Sequence, residues 1–266
     1  MKPVFTESYF LSAGETNAEG ELSLPLLVSR LIDIATAHAN SLGIGNPYLQ
    51  KFGGGWVLSR LTIDMLSYPS VNSTYQISTW IESTNRHFST RVFRIHDAEG
   101  NVYGYSRSIW LVMDIADHTN LGLSQVNIPA DMIEGAEVPI ERQARHVAIV
   151  EADEAPGAKG ALAATAPPFD CAFQYCDLDF YRHVNTVKYV MLLLNRFPLE
   201  QHDEYAVSRL ELSFLHEANY GMPMTLLRAD LGTPLHSAFQ LSRKSDGQPL
   251  LFARMLRRPR TTDCQN

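Results

Sequence analysis

The chain has 266 residues, of which 45% are hydrophobic and 19% charged, and a net charge of −7. This composition is typical of a globular protein, and the negative charge argues against bulk nucleic-acid binding. No apolar run approaches the ~20 residues of a membrane span, and residues 1–9 lack the apolar core of a signal peptide. We therefore expect a cytoplasmic location. The three cysteines fit neither a disulfide framework nor a zinc motif.

The first half predicts one long helix followed by four strands. Ser23 is the expected N-cap and Pro25 suits the first turn. An apolar face follows at helical spacing, on which we expect His38 to be a packed core residue. The members of this face are Leu27, Leu31, Ile34, Ala35 and His38. The predicted strands cover residues 57–65, 76–82, 90–96 and 102–113.

Residues 127–168 interrupt this pattern. The stretch is rich in Gly, Pro and small residues, which predicts an extended linker. We expect it to join a first domain at residues 1–126 to a second at residues 169–262. In the second domain an apolar helical run begins at about Val187 and is stopped by Pro198. The strands predicted after it cover residues 206–215, 224–229, 238–243 and 250–256.

The two halves resemble each other. Residues 57–65 and 206–214 share the triplet Ser-Arg-Leu, and residues 17–23 stand in the first half where residues 179–185 stand in the second. A third match joins residues 97–107 to residues 245–254, and three matches in the same order favour an internal repeat over chance. A single helix followed by antiparallel strands predicts an α+β fold in each half, with a curved sheet wrapped on the helix.

The residues before the second helix carry the strongest chemical signal. Asn185 is a plausible N-cap, and Asp179 and His183 precede it closely. A carboxylate and an imidazole then lie near the positive end of a helix, which stabilises developing negative charge. The alternatives are that Asp179 only closes a turn and that Glu217, between apolar stretches, is only an exposed strand residue.

Several motifs together resemble the acyl-ACP thioesterases, which release fatty acids from acyl carrier protein. They are Trp56-Val-Leu-Ser-Arg60, Ser108-Ile-Trp110 and Asp179-x-x-x-His183-Val-Asn185. The resemblance runs from Tyr9 to about Arg257. It implies two tandem hotdog folds, each a long helix wrapped by an antiparallel β-sheet, with the two sheets joined side by side. It also implies an acyl-chain pocket in the first half, near the first helix and Trp56, and the catalytic residues in the second.

The resemblance implies a catalytic set made of Asp179, His183 and Glu217. The family also has an Asn two residues after the Asp, where this chain has Tyr181. A phenol can donate and accept hydrogen bonds as an amide can, but it is longer and rigid. Either Tyr181 substitutes chemically, or activity is reduced, or the substrate differs. Plant members often carry a Cys after the Glu, where this chain has Ala218.

The function predicted is hydrolysis of fatty acyl-ACP thioesters in fatty acid biosynthesis, without a metal or redox cofactor. Backbone amides of residues 184–187 are expected to hold the oxyanion, and water attack and covalent attack by the carboxylate both remain open. We expect Asn185 and Trp56 to contact the substrate.

Because acyl carrier protein is acidic, we expect it to dock at the basic residues Arg182 and Lys188. The alternatives are an acyl-CoA thioesterase and a catalytically weak acyl-binding protein. The resemblance allows a monomer or a homodimer, and the chain length and saturation of the acyl group are not determined by the sequence.

Overall fold

The computed structural model describes residues 3–126, 128–154 and 157–260. The chain divides into two compact units, Met1–Glu141 and Arg142–Asn266. The division falls inside the segment predicted as a linker. Within the described ranges, every helix is too short or too polar to cross a membrane.

The first unit is a five-stranded antiparallel sheet with one long helix, α1, at Leu24–Ser41. The order of its strands across the sheet is β1-β3-β4-β5-β2. The four strands predicted after the helix form within a few residues of their expected bounds. A short helix, α2, at Asn46–Leu49 connects α1 to the sheet. The strands are β1 (Phe5–Phe10), β2 (Gly54–Met65), β3 (Thr74–Thr84), β4 (Ser89–His96) and β5 (Val102–Asp114).

Helix α1 forms because its apolar residues recur every three or four positions and are buried against β1 and β3. Each fully buried Leu or Ile on this face contributes about 1.5–3 kcal/mol. His38 is completely buried, as predicted, and its Nδ1 lies 2.8 Å from Nη1 of the buried Arg91. Ser23 occupies the N-cap position, but its side chain makes no capping hydrogen bond.

The second unit repeats this plan with a shorter helix, α3, at Thr186–Leu194. Its main sheet has the strand order β9-β12-β11-β10-β8, and all of these pairings are antiparallel. A two-stranded parallel pair, β6 with β7, is not part of this sheet but packs on it. The strands are β6 (Ile149–Val150), β7 (Leu162–Ala163), β8 (Phe169–Cys171), β9 (Tyr205–Phe214), β10 (Met224–Asp230), β11 (His236–Arg243) and β12 (Pro249–Pro259).

The predicted helical run up to Pro198 is wrong in its last turn. Helix α3 ends at Leu194, and Pro198 is the N-cap of a separate short helix, α4, at Leu199–Glu204. Proline is tolerated at a helix start because it lacks only an N–H that has no helical partner there. Helix α3 buries one face that contains Tyr189, Val190 and Leu193.

The segment that precedes the second sheet packs on that sheet. Ile149 and Leu162 join an apolar cluster with Ala229 and Ala238, and the His146 ring stacks on Phe252 at 4.5 Å between centroids. The predicted extended linker therefore contains a part that belongs to the core of the second unit.

Candidate active site

A tight turn at residues 179–183 presents the candidate residues. Oδ1 of Asp179 accepts hydrogen bonds from the backbone N–H of Tyr181 (2.9 Å) and of His183 (3.1 Å). The backbone N–H of Asp179 donates to the carbonyl of His183 at 2.8 Å. Arg182 completes the turn in the left-handed region, with φ of 67°. The turn thus needs Asp179 for its shape, which gives this carboxylate a structural role.

The first unit contains the same turn. The N–H of Asn17 donates to the carbonyl of Glu21 at 2.8 Å, and Oδ1 of Asn17 accepts the N–H of Glu21 at 2.7 Å. Gly20, with φ of 73°, stands where Arg182 stands. The predicted correspondence between residues 17–23 and 179–185 is therefore confirmed at the level of individual hydrogen bonds.

His183 and Glu217 lie together. Nε2 of His183 is 3.1 Å from Oε2 of Glu217, and the two side chains are 28% and 39% exposed. A substrate can therefore reach both groups. The prediction that Glu217 lies in a strand is wrong, because β9 ends at Phe214 and Glu217 lies in the loop that follows. The loop bends toward the 179–183 turn, and this brings the carboxylate to the imidazole.

Main-chain pairing holds this loop against the turn. The N–H of Val184 donates to the carbonyl of Ala218 at 3.0 Å, and His183 pairs with Asn219 in an antiparallel bridge. Ala218 is fully buried, whereas Glu217 and Asn219 on either side of it are exposed. In an extended segment, residues two apart project to the same side. Glu217 and Asn219 therefore share the side that faces His183.

Tyr189 of α3 is hydrogen-bonded to the loop after β9, at the backbone of Ala218. Its ring contacts Phe173 and Phe214 edge-on, at centroid distances of 5.2 and 5.6 Å. Burial raises the pKa of Tyr189 above its usual value, and the nearby Glu217 carboxylate acts in the same direction against a backbone hydrogen bond with Ala218. The neutral phenol therefore anchors the backbone next to Glu217.

The helix N-terminus is capped as predicted, and three of the amides expected to bind the oxyanion already donate to protein oxygens. Oδ1 of Asn185 accepts the N–H of Val187 at 3.0 Å. The N–H of Asn185 donates to the carbonyl of Asp177 at 2.8 Å, and that of Val184 is held by Ala218. Of the four amides at residues 184–187, only that of Thr186 has no acceptor within the described ranges. Of the amides predicted to hold the oxyanion, that of Thr186 therefore stays available, and the oxyanion role stays a prediction.

Tyr181 lies at the edge of the turn. Its ring packs against the exposed Phe180, with 3.9 Å between ring centroids, and its hydroxyl makes no hydrogen bond with any described residue. The structure thus shows no link between this phenol and the pair formed by His183 and Glu217. Its catalytic role stays a prediction.

The other predicted contact residues have defined places. Arg182 is exposed at the tip of the turn, whereas Nζ of Lys188 lies 3.4 Å from Oδ1 of Asp177. Trp56, in β2 of the first unit, donates from Nε1 to the carbonyl of Ile44 at 2.8 Å. Arg182 is therefore the more available cation. In the described parts of the chain, no group of three His, Cys, Asp or Glu side chains is arranged to hold a metal ion.

Each unit, a helix packed on an antiparallel sheet, is a hotdog fold, and the two follow one another along the chain. Family models for the acyl-ACP thioesterase N-terminal and C-terminal domains match residues 2–122 and 169–249. The chain therefore belongs to the acyl-ACP thioesterase family.

Solved structures show the same fold over almost the whole chain. The acyl-ACP thioesterase from Bacteroides thetaiotaomicron superposes with a TM-score of 0.83 at 22% identity, covering 96% of this chain and 98% of that one. The 12:0-ACP thioesterase from Umbellularia californica gives a TM-score of 0.75 at 18% identity, covering 97% and 95%.

Curated relatives have a sequence identity to this chain that is close to that of the solved structures. A chloroplastic acyl-[acyl-carrier-protein] hydrolase, FATB2, from Cuphea viscosissima is 23% identical over 97% of this chain and 63% of its own length. A chloroplastic palmitoyl-acyl carrier protein thioesterase from Gossypium hirsutum is 23% identical over 80% of this chain and 52% of its own. The chain thus spans little more than half the length of these relatives.

Proposed function

We propose that this protein hydrolyses fatty acyl-ACP thioesters to a free fatty acid and acyl carrier protein, as part of fatty acid biosynthesis. The observation that carries the proposal is the contact of 3.1 Å between His183 and Glu217, in a chain whose two units match the two domains of the family. An imidazole in contact with a carboxylate is suited to proton transfer near neutral pH.

The chemistry uses one water molecule. Its oxygen bonds to the thioester carbonyl carbon while Glu217 accepts its proton. That proton passes from Glu217 to His183 across their 3.1 Å contact. The resulting tetrahedral oxyanion then collapses, the bond between carbon and sulfur breaks, and His183 delivers the same proton to the leaving thiolate. Asp179 contributes by holding the turn that presents His183. The alternative that the sequence leaves open, in which Glu217 attacks the carbonyl carbon directly, uses the same contact.

The test is an acyl-ACP hydrolysis panel across chain lengths, run with His183→Ala and Glu217→Gln. We expect each variant to lose about 10²–10⁴-fold in kcat, which is the usual contribution of an acid–base group. Tyr220→Phe is the matched control, since it alters an exposed residue of the same loop. Turnover that persists in both variants would exclude the pair as the catalytic machinery.

The carrier is tested separately from the chemistry. Arg182→Glu should raise KM for acyl-ACP more than KM for a small acyl thioester, because long-range attraction steers only the acidic protein. Lys188→Glu should have a smaller effect, since Lys188 is already paired with Asp177. Equal changes on both substrates, together with faster turnover of acyl-CoA, would favour the acyl-CoA alternative.

Four parts of the proposal stay predictions. These are the acyl-chain pocket near Trp56 in the first unit, the contact of Asn185 with substrate, the cytoplasmic location, and the monomeric or homodimeric state. Tight fatty-acid binding without hydrolysis by any member of the panel would instead support the weak acyl-binding alternative.

A further inference from the structure

We propose that Asn219 is a catalytic residue, whose carboxamide donates a hydrogen bond to the thioester carbonyl oxygen as that oxygen becomes negative. The inference rests on the proposed hydrolysis and adds a residue that the sequence motifs do not include. Three independent features of the structure lead to it: the register of the bridge at His183, the exposure pattern of the loop, and the hydrogen bonds that occupy three backbone amides at the start of α3.

The bridge register places Asn219 directly opposite His183. The hydrogen bond from Val184 to Ala218 flanks this pair, so the pair itself is of the type without mutual backbone hydrogen bonds. In such pairs the Cα atoms are about 4.5 Å apart and the side chains project to the same side. The carboxamide therefore lies within reach of a group bound at the imidazole.

The exposure pattern leaves the carboxamide available. Asn219 is exposed on the same side of the loop as Glu217, and its side chain makes no hydrogen bond with any described residue. Its side-chain amide offers two N–H donors. Glu217, His183 and Asn219 thus project to one solvent-accessible side and offer an acceptor, a proton carrier and a donor.

Few backbone N–H groups at the start of α3 are available to an oxyanion. The amides of Val184, Asn185 and Val187 already donate to protein oxygens, so the start of α3 offers an oxyanion only the N–H of Thr186. Oxyanion sites combine backbone amides with side-chain donors such as Asn. Asn219 supplies a donor that the capped helix does not.

Kinetics of Asn219→Ala and Asn219→Asp provide the first test. Losing one oxyanion donor costs about 10²–10³-fold in kcat, so we expect a fall of about that size with little change in KM. In Asn219→Asp the new side chain keeps the shape of asparagine but has no N–H donor when ionised, so this variant should not restore turnover. Ser70→Ala is the matched control, because Ser70 pairs with Glu21 at the equivalent bridge of the first unit.

Ligand binding provides a test that does not need turnover. The two probes are a ketone analogue of the best substrate, which keeps the carbonyl, and a thioether analogue, which lacks it. Asn219→Ala should raise the Kd of the ketone analogue about tenfold, the equivalent of one hydrogen bond of about 1.4 kcal/mol. The Kd of the thioether analogue should not change. Thermal unfolding checks that the variant is folded.

The outcomes separate the two proposals. If wild-type protein hydrolyses acyl-ACP but Asn219→Ala keeps kcat within about threefold, or weakens both analogues equally, the role of Asn219 is wrong and the hydrolase function stands. If wild-type protein hydrolyses no thioester, the proposed function fails and the role of Asn219 fails with it.

Discussion

The contact between His183 and Glu217 depends on two local backbone features. An aspartate closes the 179–183 turn with its Oδ1, and a β-bridge then aligns that turn with the loop after β9. Neither feature lies inside a regular helix or strand, where geometry is easiest to predict. Active-site residues often occupy such connecting segments, positioned by the rigid elements on either side.

Substitutions of Tyr181 decide whether its phenol takes part. If the phenol takes no part, as its lack of a partner among the described residues favours, Tyr181→Phe should keep kcat within about twofold and Tyr181→Asn within about threefold. A catalytic phenol should instead cost about tenfold or more in Tyr181→Phe, the equivalent of one interaction of about 1.4 kcal/mol. Steady-state kinetics on acyl-ACP would measure both. A large gain in Tyr181→Asn alone would mean that the natural chain lacks a needed carboxamide, as the weak-binding alternative requires.

His236 should make the folded state less stable in acid. Burial lowers the pKa of His236 below its usual value, and the positive charge of Arg254 adds to the effect. The unfolded chain therefore binds a proton first as the pH falls below about 6.5, and the free energy of unfolding decreases until the folded-state pKa is passed. His236→Gln should reduce this loss in denaturant titrations between pH 7.5 and about 5.

His87→Gln is the control for this measurement, because it removes an exposed imidazole from a turn. An unchanged pH profile in His236→Gln would show that this ring does not contribute to the acid sensitivity.

At the scale of elements, helices α1 and α3 follow the same turn but are capped differently. Asn185 caps α3 with its side chain, whereas Ser23 at the same position of α1 makes no such hydrogen bond. Helix α1 has 18 residues and a long buried face, and α3 has nine. The shorter helix therefore depends more on its cap.

A pair of alanine substitutions measures this difference. Asn185→Ala should lower the free energy of unfolding by about 1 kcal/mol, within the range of about 0.5–2 kcal/mol for lost caps. Ser23→Ala should cost clearly less, because no capping bond is lost. Chemical denaturation of both variants gives the comparison. Equal costs would mean that the capping geometry at Asn185 adds no stability.

At the scale of the molecule, the two units keep one architecture but differ in their chemistry. In each unit the same turn precedes the helix, and a bridge joins the last residue of that turn to a later loop. Glu21 occupies the position of His183, and Tyr68, two residues before the bridge residue Ser70, occupies that of Glu217. A phenol cannot replace the carboxylate as a base near neutral pH, because its reference pKa is about 10.

The whole chain should therefore contain one active site. We expect Glu21→Ala and Tyr68→Phe to keep kcat within about twofold, whereas changes at His183 and Glu217 cost about hundredfold or more. Calorimetric titration with the ketone analogue should give one bound equivalent per chain. Two equivalents, or a hundredfold loss in the first-unit variants, would contradict this.

The sequence by itself determined the elements and their repetition. Apolar residues at helical spacing predicted α1, alternating strands predicted both sheets, and the motif from Asp179 to Asn185 predicted the capped helix and its neighbouring imidazole. These features depend on local periodicity and local hydrogen bonding, which a single stretch of chain specifies. The resemblance to a family added Glu217, which no local pattern connects to His183.

Only the tertiary structure decided what meets at the site. It placed Glu217 in a loop, used three of the predicted oxyanion amides for other hydrogen bonds, and set Asn219 opposite His183. The polar, apolar, polar order of Glu217, Ala218 and Asn219 indicates that residues 217 and 219 face one way, but not which residue they face. The register between two loops distant in sequence depends on the packing of every element between them, and no local pattern encodes it.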